Sequence, residues 1–183
     1  MAIKVDIKAV PAVRVASISE KVTDYGAQEG LWRELSEYLK AHGARACGPL
    51  VGLDHSEGSI EDGVRLEVTA PVDMDLPESD RVRVYDLPAL EMAASALHTG
   101  EPDGLGGTYR MLMFWLRDNG YRITGPSREI YLNYPAGDAD NPLAYLSQAP
   151  TAPAGFVMEV LFPVAKIWPQ QRVGYAPEPE EPA

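Results

Sequence analysis

Three glutamates and a tyrosine, Glu67, Glu129, Glu159 and Tyr131, stand inside runs that are otherwise rich in apolar residues. Glutamate is disfavoured in strands and costly to bury, so its repeated placement asks for a reason. Period-2 alternation assigns Phe156, Met158, Val160 and Phe162 to one face of a strand, and Val157, Glu159 and Leu161 to the other. The same division of Val64–Ala70 sets Val64, Leu66, Val68 and Ala70 against Arg65, Glu67 and Thr69. Taking Ile130 and Leu132 as core residues leaves Glu129 and Tyr131 on the other side. The expectation is a sheet face, turned away from the helices, that carries Glu67, Glu129, Tyr131 and Glu159 and is joined by Leu161. Carboxylates in such a groove neutralise a cation while rings stack on it, at about 0.5–2 kcal/mol for each good cation–π contact. Tyr131, Tyr109, Tyr145, Trp115 and Trp32 are the candidate rings. The competing reading is a solvated face on which Arg65 or Arg128 pairs with the acids, with both tryptophans in the core.

Other chemistry has weaker support. His42, His55 and His98 lack metal-ligand spacing, no G-x-S-x-G elbow is present, and Gly104–Gly107 lacks the lysine of a phosphate loop. No metal and no cofactor is expected. The single cysteine, Cys47, excludes an internal disulfide and reads as a small buried residue in a protein of a reducing compartment. A net charge of −11 disfavours nucleic acid and suits cationic ligands or basic partners. With no signal-like N-terminus and no run of about 18 apolar residues, a cytoplasmic protein without membrane contact is expected.

The elements that must position these residues come in two copies. Gly30–Pro49, GLWRELSEYLKAHGARACGP, is repeated without a gap at Gly107–Pro126, GTYRMLMFWLRDNGYRITGP, an offset of 107 − 30 = 77 with eight identities in twenty. Val10–Ala16 lies over Leu87–Ala93 at the same offset. Gly63–Val72 matches Gly155–Val164 at an offset of 155 − 63 = 92, so copy two carries 15 extra residues before its last strand. Copy one spans about 3–72 and copy two about 81–167, inside one domain of 1–168. A module of roughly 80 residues is marginal alone, so the two should pack into one unit with a cleft between them.

Each copy reads strand, helix, strand, strand. Residues 3–22 form a strand broken near Pro11, 30–42 a helix ended by Gly43, 44–53 and 64–72 two further strands. Copy two repeats this with a broken strand over 81–97, a loop over 98–107, a helix over 108–119 ended by Gly120, and strands within 121–134 and 156–164. The second helix is apolar nearly all round through Met111–Leu116, so it is either deeply buried or meets another surface, a homodimer contact included. Residues 135–154 read as a flap with a helical turn at Asn141–Leu146, and 169–183 as a disordered tail. The fold class is α+β: a pseudo-two-fold duplicated module, a curved antiparallel sheet, two helices on one face and a ligand groove on the other.

The duplicated module, the Gly125–Leu132 strand, the Asn141–Leu146 turn and the closing Glu159–Val164 strand resemble the GyrI-like small-molecule-binding family over residues 3–167. That family includes the effector-binding halves of AraC-type and BmrR-type regulators and stand-alone proteins. The resemblance implies a groove for drug-like, often cationic aromatic molecules, with Glu159 in it and Glu129 and Tyr131 on the strand before. Some stand-alone members hydrolyse cyclopropane-bearing genotoxins with a groove glutamate and aromatic residues, and others bind DNA gyrase. Leu161 departs from the aromatic residue of drug-binding relatives.

Three functional expectations follow. The first is a stand-alone binding module for amphipathic cations, since residues 3–167 leave no room for a helix-turn-helix. The second is a hydrolase in which Glu159 or Glu129 is the general base and Tyr131 or Tyr109 the proton donor. The third is a partner of gyrase through the acidic surface.

Overall fold

The computed structural model describes residues 4–56, 63–100, 102–132 and 156–167. Copy one supplies β1 (Val5–Val10), β2 (Val13–Val22), α1 (Gln28–Ala41), β3 (Val51–Asp54) and β4 (Val64–Pro71). Copy two supplies β5 (Arg83–Leu87), β6 (Leu90–Gly100), α2 (Leu105–Asp118), β7 (Tyr121–Ile123), β8 (Ser127–Tyr131) and β9 (Phe156–Lys166). Pro11 and Pro88 fall between the halves of the broken strands, where a missing N–H donor costs no ladder hydrogen bond. Just past each helix the chain turns through a left-handed glycine, Gly43 at φ 65° and Gly120 at φ 72°, a region unfavourable to residues bearing a Cβ.

All strand pairs are antiparallel, in the order β1-β6-β9-β8-β3-β4-β2-β5, with β7 joined to β9. The order reads alike from both ends when the copies are interchanged. β3 and β8 meet at the pseudo-dyad, β1 of copy one lies along β6 of copy two, and β5 of copy two lies along β2 of copy one. Each copy thus lends its first strand to the other, which makes the two modules one sheet. The symmetry extends to single bonds: Cys47 N donates to the Pro71 carbonyl and Thr124 N to the Pro163 carbonyl, both at 2.9 Å.

Both helices pack on one face. Leu31, Trp32, Leu35 and Leu39 of α1 and Leu112 and Leu116 of α2 cover Ile18, Leu66, Val68, Met158 and Val160. A second, smaller apolar layer of Val15, Val51, Leu53 and Leu87, flanked by Tyr85 and Ile130, lies on the opposite face. The central strands are therefore apolar on both sides. Met111, Met113 and Phe114 remain 40%, 50% and 55% exposed, so α2 is not deeply buried among the described residues.

Some boundaries differ from expectation. The strand expected over 44–53 is confined to Val51–Asp54, β6 continues to Gly100, and α2 starts at Leu105. Cys47 is exposed rather than buried, and its amide ties the loop to the Pro71 carbonyl. The flap at 135–154 and the tail after 168 lie outside the described residues. Among the described residues no helix is long and apolar enough to cross a membrane.

Candidate functional site

Cross-strand pairing settles which face each candidate occupies, because directly paired residues share a face. Glu129 pairs with Gly52 and Val160, and Tyr131 with Met158, and both valine and methionine lie under the helices. Ile130 pairs with Val51 and Glu159 on the far side. Glu129 and Tyr131 therefore face the helices, opposite to the face expected for them and away from Glu67 and Glu159. The expectation took the apolar Ile130 to mark the helix face, but the far face has its own apolar layer and claims it.

The residues converging on Glu129 come from both copies. Tyr109 of α2 donates its hydroxyl to Glu129 Oε1 at 2.7 Å, and Tyr131 donates to Oε2 at 3.3 Å. Trp32 of α1 stands edge-on to Tyr131 with ring centroids 5.7 Å apart, and Tyr109 edge-on to Phe162 at 5.8 Å. Trp32 and Tyr109 are repeat equivalents, 109 − 32 = 77, so each helix sends an aromatic ring to the dyad from the same position. The strands break the symmetry. Glu129 corresponds to Gly52 and Tyr131 to Asp54, whose carboxylate accepts the Tyr25 hydroxyl at 2.8 Å.

Gly52 leaves space at this floor: a Cβ there would stand 2.9 Å from Gln28 Nε2 and 3.7 Å from Tyr131. The near atom is the end of a flexible side chain. Gly52→Ala is expected to fold with stability within about 1 kcal/mol of wild type in a urea titration.

A cavity of about 1260 Å³ opens here on the helix-bearing side, bounded by Tyr25, Asp54, Tyr109, Met113, Glu129 and Phe162 among others. Small-molecule pockets typically hold about 300–1,000 Å³, so a drug-sized ligand fits. Burial pushes the Glu129 carboxyl above the usual carboxylate range; the two tyrosine hydroxyls oppose this, and the Asp54 charge adds to it. Burial and Glu129 raise Tyr109 and Tyr131, which stay protonated donors, while burial and Asp54 push Tyr25 up to about 12.

A raised carboxyl pKa means that the folded state holds the proton more tightly than the unfolded chain. Stability therefore falls as pH rises from the ordinary carboxylate range through the raised value. Glu129→Gln, neutral throughout, should be more stable than wild type above that window by on the order of 1 kcal/mol, or about 2–4 °C in Tm. The gain should vanish below pH 4, and thermal melts at several pH values check it.

The other candidates sit elsewhere. Glu67, on the far face, accepts from Ser17 Oγ, from the Tyr85 hydroxyl at 2.6 Å, and pairs with His55 Nε2 at 2.7 Å. Burial alone would raise its pKa, but these partners outweigh it and hold the carboxyl below the usual range. Glu159 pairs with Lys8 Nζ at 2.5 Å. Tyr85 and Lys8 are repeat equivalents, so each mid-strand glutamate is met from the exchanged strand, by a phenol in one copy and an ammonium in the other. Leu161 is fully buried beside Arg128 and Ser95 rather than lining a groove. Trp115 stacks on Tyr121 at 5.7 Å and does not line the cavity. Tyr145 lies outside the described residues. Of the expected set, the structure brings together Glu129, Tyr131 and Tyr109. Tyr25, Asp54, Met113 and Phe162 were not anticipated, although Asp54 was readable as the repeat partner of Tyr131. Among the described residues no cluster of His, Cys, Asp or Glu fits a metal ion.

Comparison with known proteins agrees with this architecture. No curated protein matches the sequence. Among solved structures, the C-terminal domain of EcmrR is 24% identical with a TM-score of 0.73, over 91% of this chain and all of that one. In the EcmrR–DNA complex the match is 22% identical with a TM-score of 0.72, again over 91% of this chain, which spans only 59% of that longer one. SAV2435 bound to tetraphenylphosphonium is 14% identical with a TM-score of 0.55, over 88% of this chain and 94% of the other. A hydrolase from Listeria innocua is 16% identical with a TM-score of 0.53, over 88% and 92%. At these identities the likeness shows the fold. The model of the GyrI-like small molecule binding domain matches residues 3–150, and the chain belongs to that family.

Proposed function

We propose that the protein binds amphipathic aromatic cations in the helix-side cavity between its two modules, with Glu129 as the counter-charge, Tyr109, Tyr25 and Phe162 as the aromatic walls, and buried Tyr131 behind Glu129 as a hydroxyl donor to it. One observation carries this reading: Glu129 is a carboxylate at the floor of an aromatic cavity, held by two neutral hydroxyls and paired with no described lysine or arginine. A ligand cation would supply the missing charge in a desolvated setting where the attraction is strong. SAV2435, of similar fold, is bound to a ligand of this kind. The sequestering or sensing role expected from the sequence is part of the same proposal. Calorimetric titration with tetraphenylphosphonium and with neutral triphenylphosphine oxide tests it. Micromolar binding of the cation with at least tenfold weaker binding of the neutral compound is expected; equal affinity would reject the counter-charge role.

A second reading is hydrolysis of a strained electrophile. The raised pKa of Glu129 suits a general base, and Tyr109 and Tyr131 are neutral proton donors within hydrogen-bond reach of it. The attack would place water oxygen on the ring carbon, its proton on Glu129, and a phenolic proton on the departing carbon. Product formation that disappears in Glu129→Gln supports this reading, and its absence in wild type leaves binding alone.

A further inference from the structure

The cavity carries a second carboxylate that the cation reading leaves without a task. In the β3–β8 ladder Gly52 pairs with Glu129 and Asp54 with Ser127, so Asp54 and Glu129 share the helix-side face as diagonal neighbours. Diagonal neighbours on antiparallel strands stand about 7–8 Å apart. Both residues border the cavity. Neither acid is a copy of the other, because the repeat sets Asp54 over Tyr131 and Gly52 over Glu129.

Like Glu129, Asp54 is held by neutral donors: the Tyr25 hydroxyl donates to Oδ2 and the Ser56 amide to Oδ1, both at 2.8 Å. Neither carboxylate forms an ion pair with a described residue. Outside the described residues the sequence holds one arginine, Arg172, and no lysine or histidine. Lys21, His55 and Arg65 border the same opening but belong to the far face. Lys21 pairs with Arg65, which shares the side of Glu67, and His55 Nε2 is taken by Glu67. The two cavity acids act on the same groups: Asp54 adds to the burial that raises Glu129, and after burial Asp54 and then Glu129 raise Tyr25. A ligand with one positive charge leaves a carboxylate uncompensated beside it, which costs most where water is excluded.

We propose that the cavity selects dications: elongated aromatic ligands with one positive charge at Glu129 and a second at Asp54. This rests on the cation reading above and names the ligand class more narrowly. The diagonal spacing of the acids is one that a rigid aromatic spacer spans.

Calorimetric titration with methyl viologen, a bipyridinium with two fixed positive charges, and with 1-methyl-4-phenylpyridinium, of similar shape and one charge, tests the idea. Wild type is expected to bind the dication about tenfold or more tightly, with the preference shrinking as salt rises. Asp54→Asn should erase that preference while weakening the monocation at most about threefold, and the retained binding reports a folded variant. Asp86→Asn, which removes the same charge from an exposed position on β5, should keep the preference. Glu129→Gln should weaken both compounds. Equal loss of the preference in the Asp54 and Asp86 variants would overturn the proposal, because net charge alone then attracts the dication. Binding of tetraphenylphosphonium by wild type without any preference for the dication would also overturn it and leave the cation reading standing. Failure of wild type to bind any of the three cations would instead reject the cation reading itself.

Discussion

Glu129→Gln is expected to weaken binding of tetraphenylphosphonium about 10- to 100-fold while the protein stays folded. The substitution keeps size and shape and leaves an amide carbonyl for the hydroxyls of Tyr109 and Tyr131, which now donate to the carboxylate. What disappears is one negative charge in a buried site, and about 1.4 kcal/mol corresponds to each factor of ten. The effect should depend on pH in wild type. Because burial raises the Glu129 pKa, cation affinity should fall as pH drops through that raised value, while the glutamine variant shows a flat profile. Isotherms of both proteins from pH 5 to 8 check the pair of expectations. The same substitution is expected to raise thermal stability, so lost affinity with higher Tm would distinguish a removed charge from a damaged fold.

The largest effect on stability is expected at Trp32, which is 2% exposed and packs both in the helix–sheet core and against Tyr131. Trp32→Ala removes the largest fully buried side chain among the described residues and opens a cavity in the helix–sheet core. A loss of about 3–5 kcal/mol is expected, a large part of a typical total of roughly 5–15 kcal/mol. In a chemical denaturation the midpoint should fall with little change in slope. Trp115→Ala is the control: its ring is only partly buried and stacks on Tyr121 at the edge of the sheet, so a much smaller loss is expected. Equal losses at the two positions would contradict the description of the core.

The duplicated architecture was readable in the sequence because the marks of its turns are local. Gly43 and Gly120 must end helices, Pro11 and Pro88 must interrupt strands, and the apolar stripe of α1 needs a partner surface. The exchange of β1 and β5 between copies was not readable. A repeat shows that two modules are alike, and does not say which module each first strand joins.

The site was legible in its chemistry and not in its placement. Alternation in β9 gave the correct division because the Met158 and Val160 side is buried under helices and Glu159 pairs with Lys8 on the other. In β8 the same rule failed. Ile130 is apolar, yet it faces the far layer of Val51 and Leu53, and the polar Glu129 and phenolic Tyr131 take the helix side. Hydrophobic alternation identifies the core of a sheet buried on one face only, and the central strands here are covered on both. The surplus of acids on one imagined face was in fact divided: Glu67 and Glu159 have protein partners, and Glu129 faces the cavity.

The most direct test of Glu129 as the ligand's counter-charge is its own titration. With ¹³C-labelled glutamate, the Glu129 carboxyl resonance is identified by its loss in Glu129→Gln and followed by NMR across pH, without and with saturating tetraphenylphosphonium. The free protein should titrate above the usual carboxylate range, and the bound cation should move the midpoint down. A midpoint that stays in place while the cation binds, or a shift at Glu159 instead, would contradict the account.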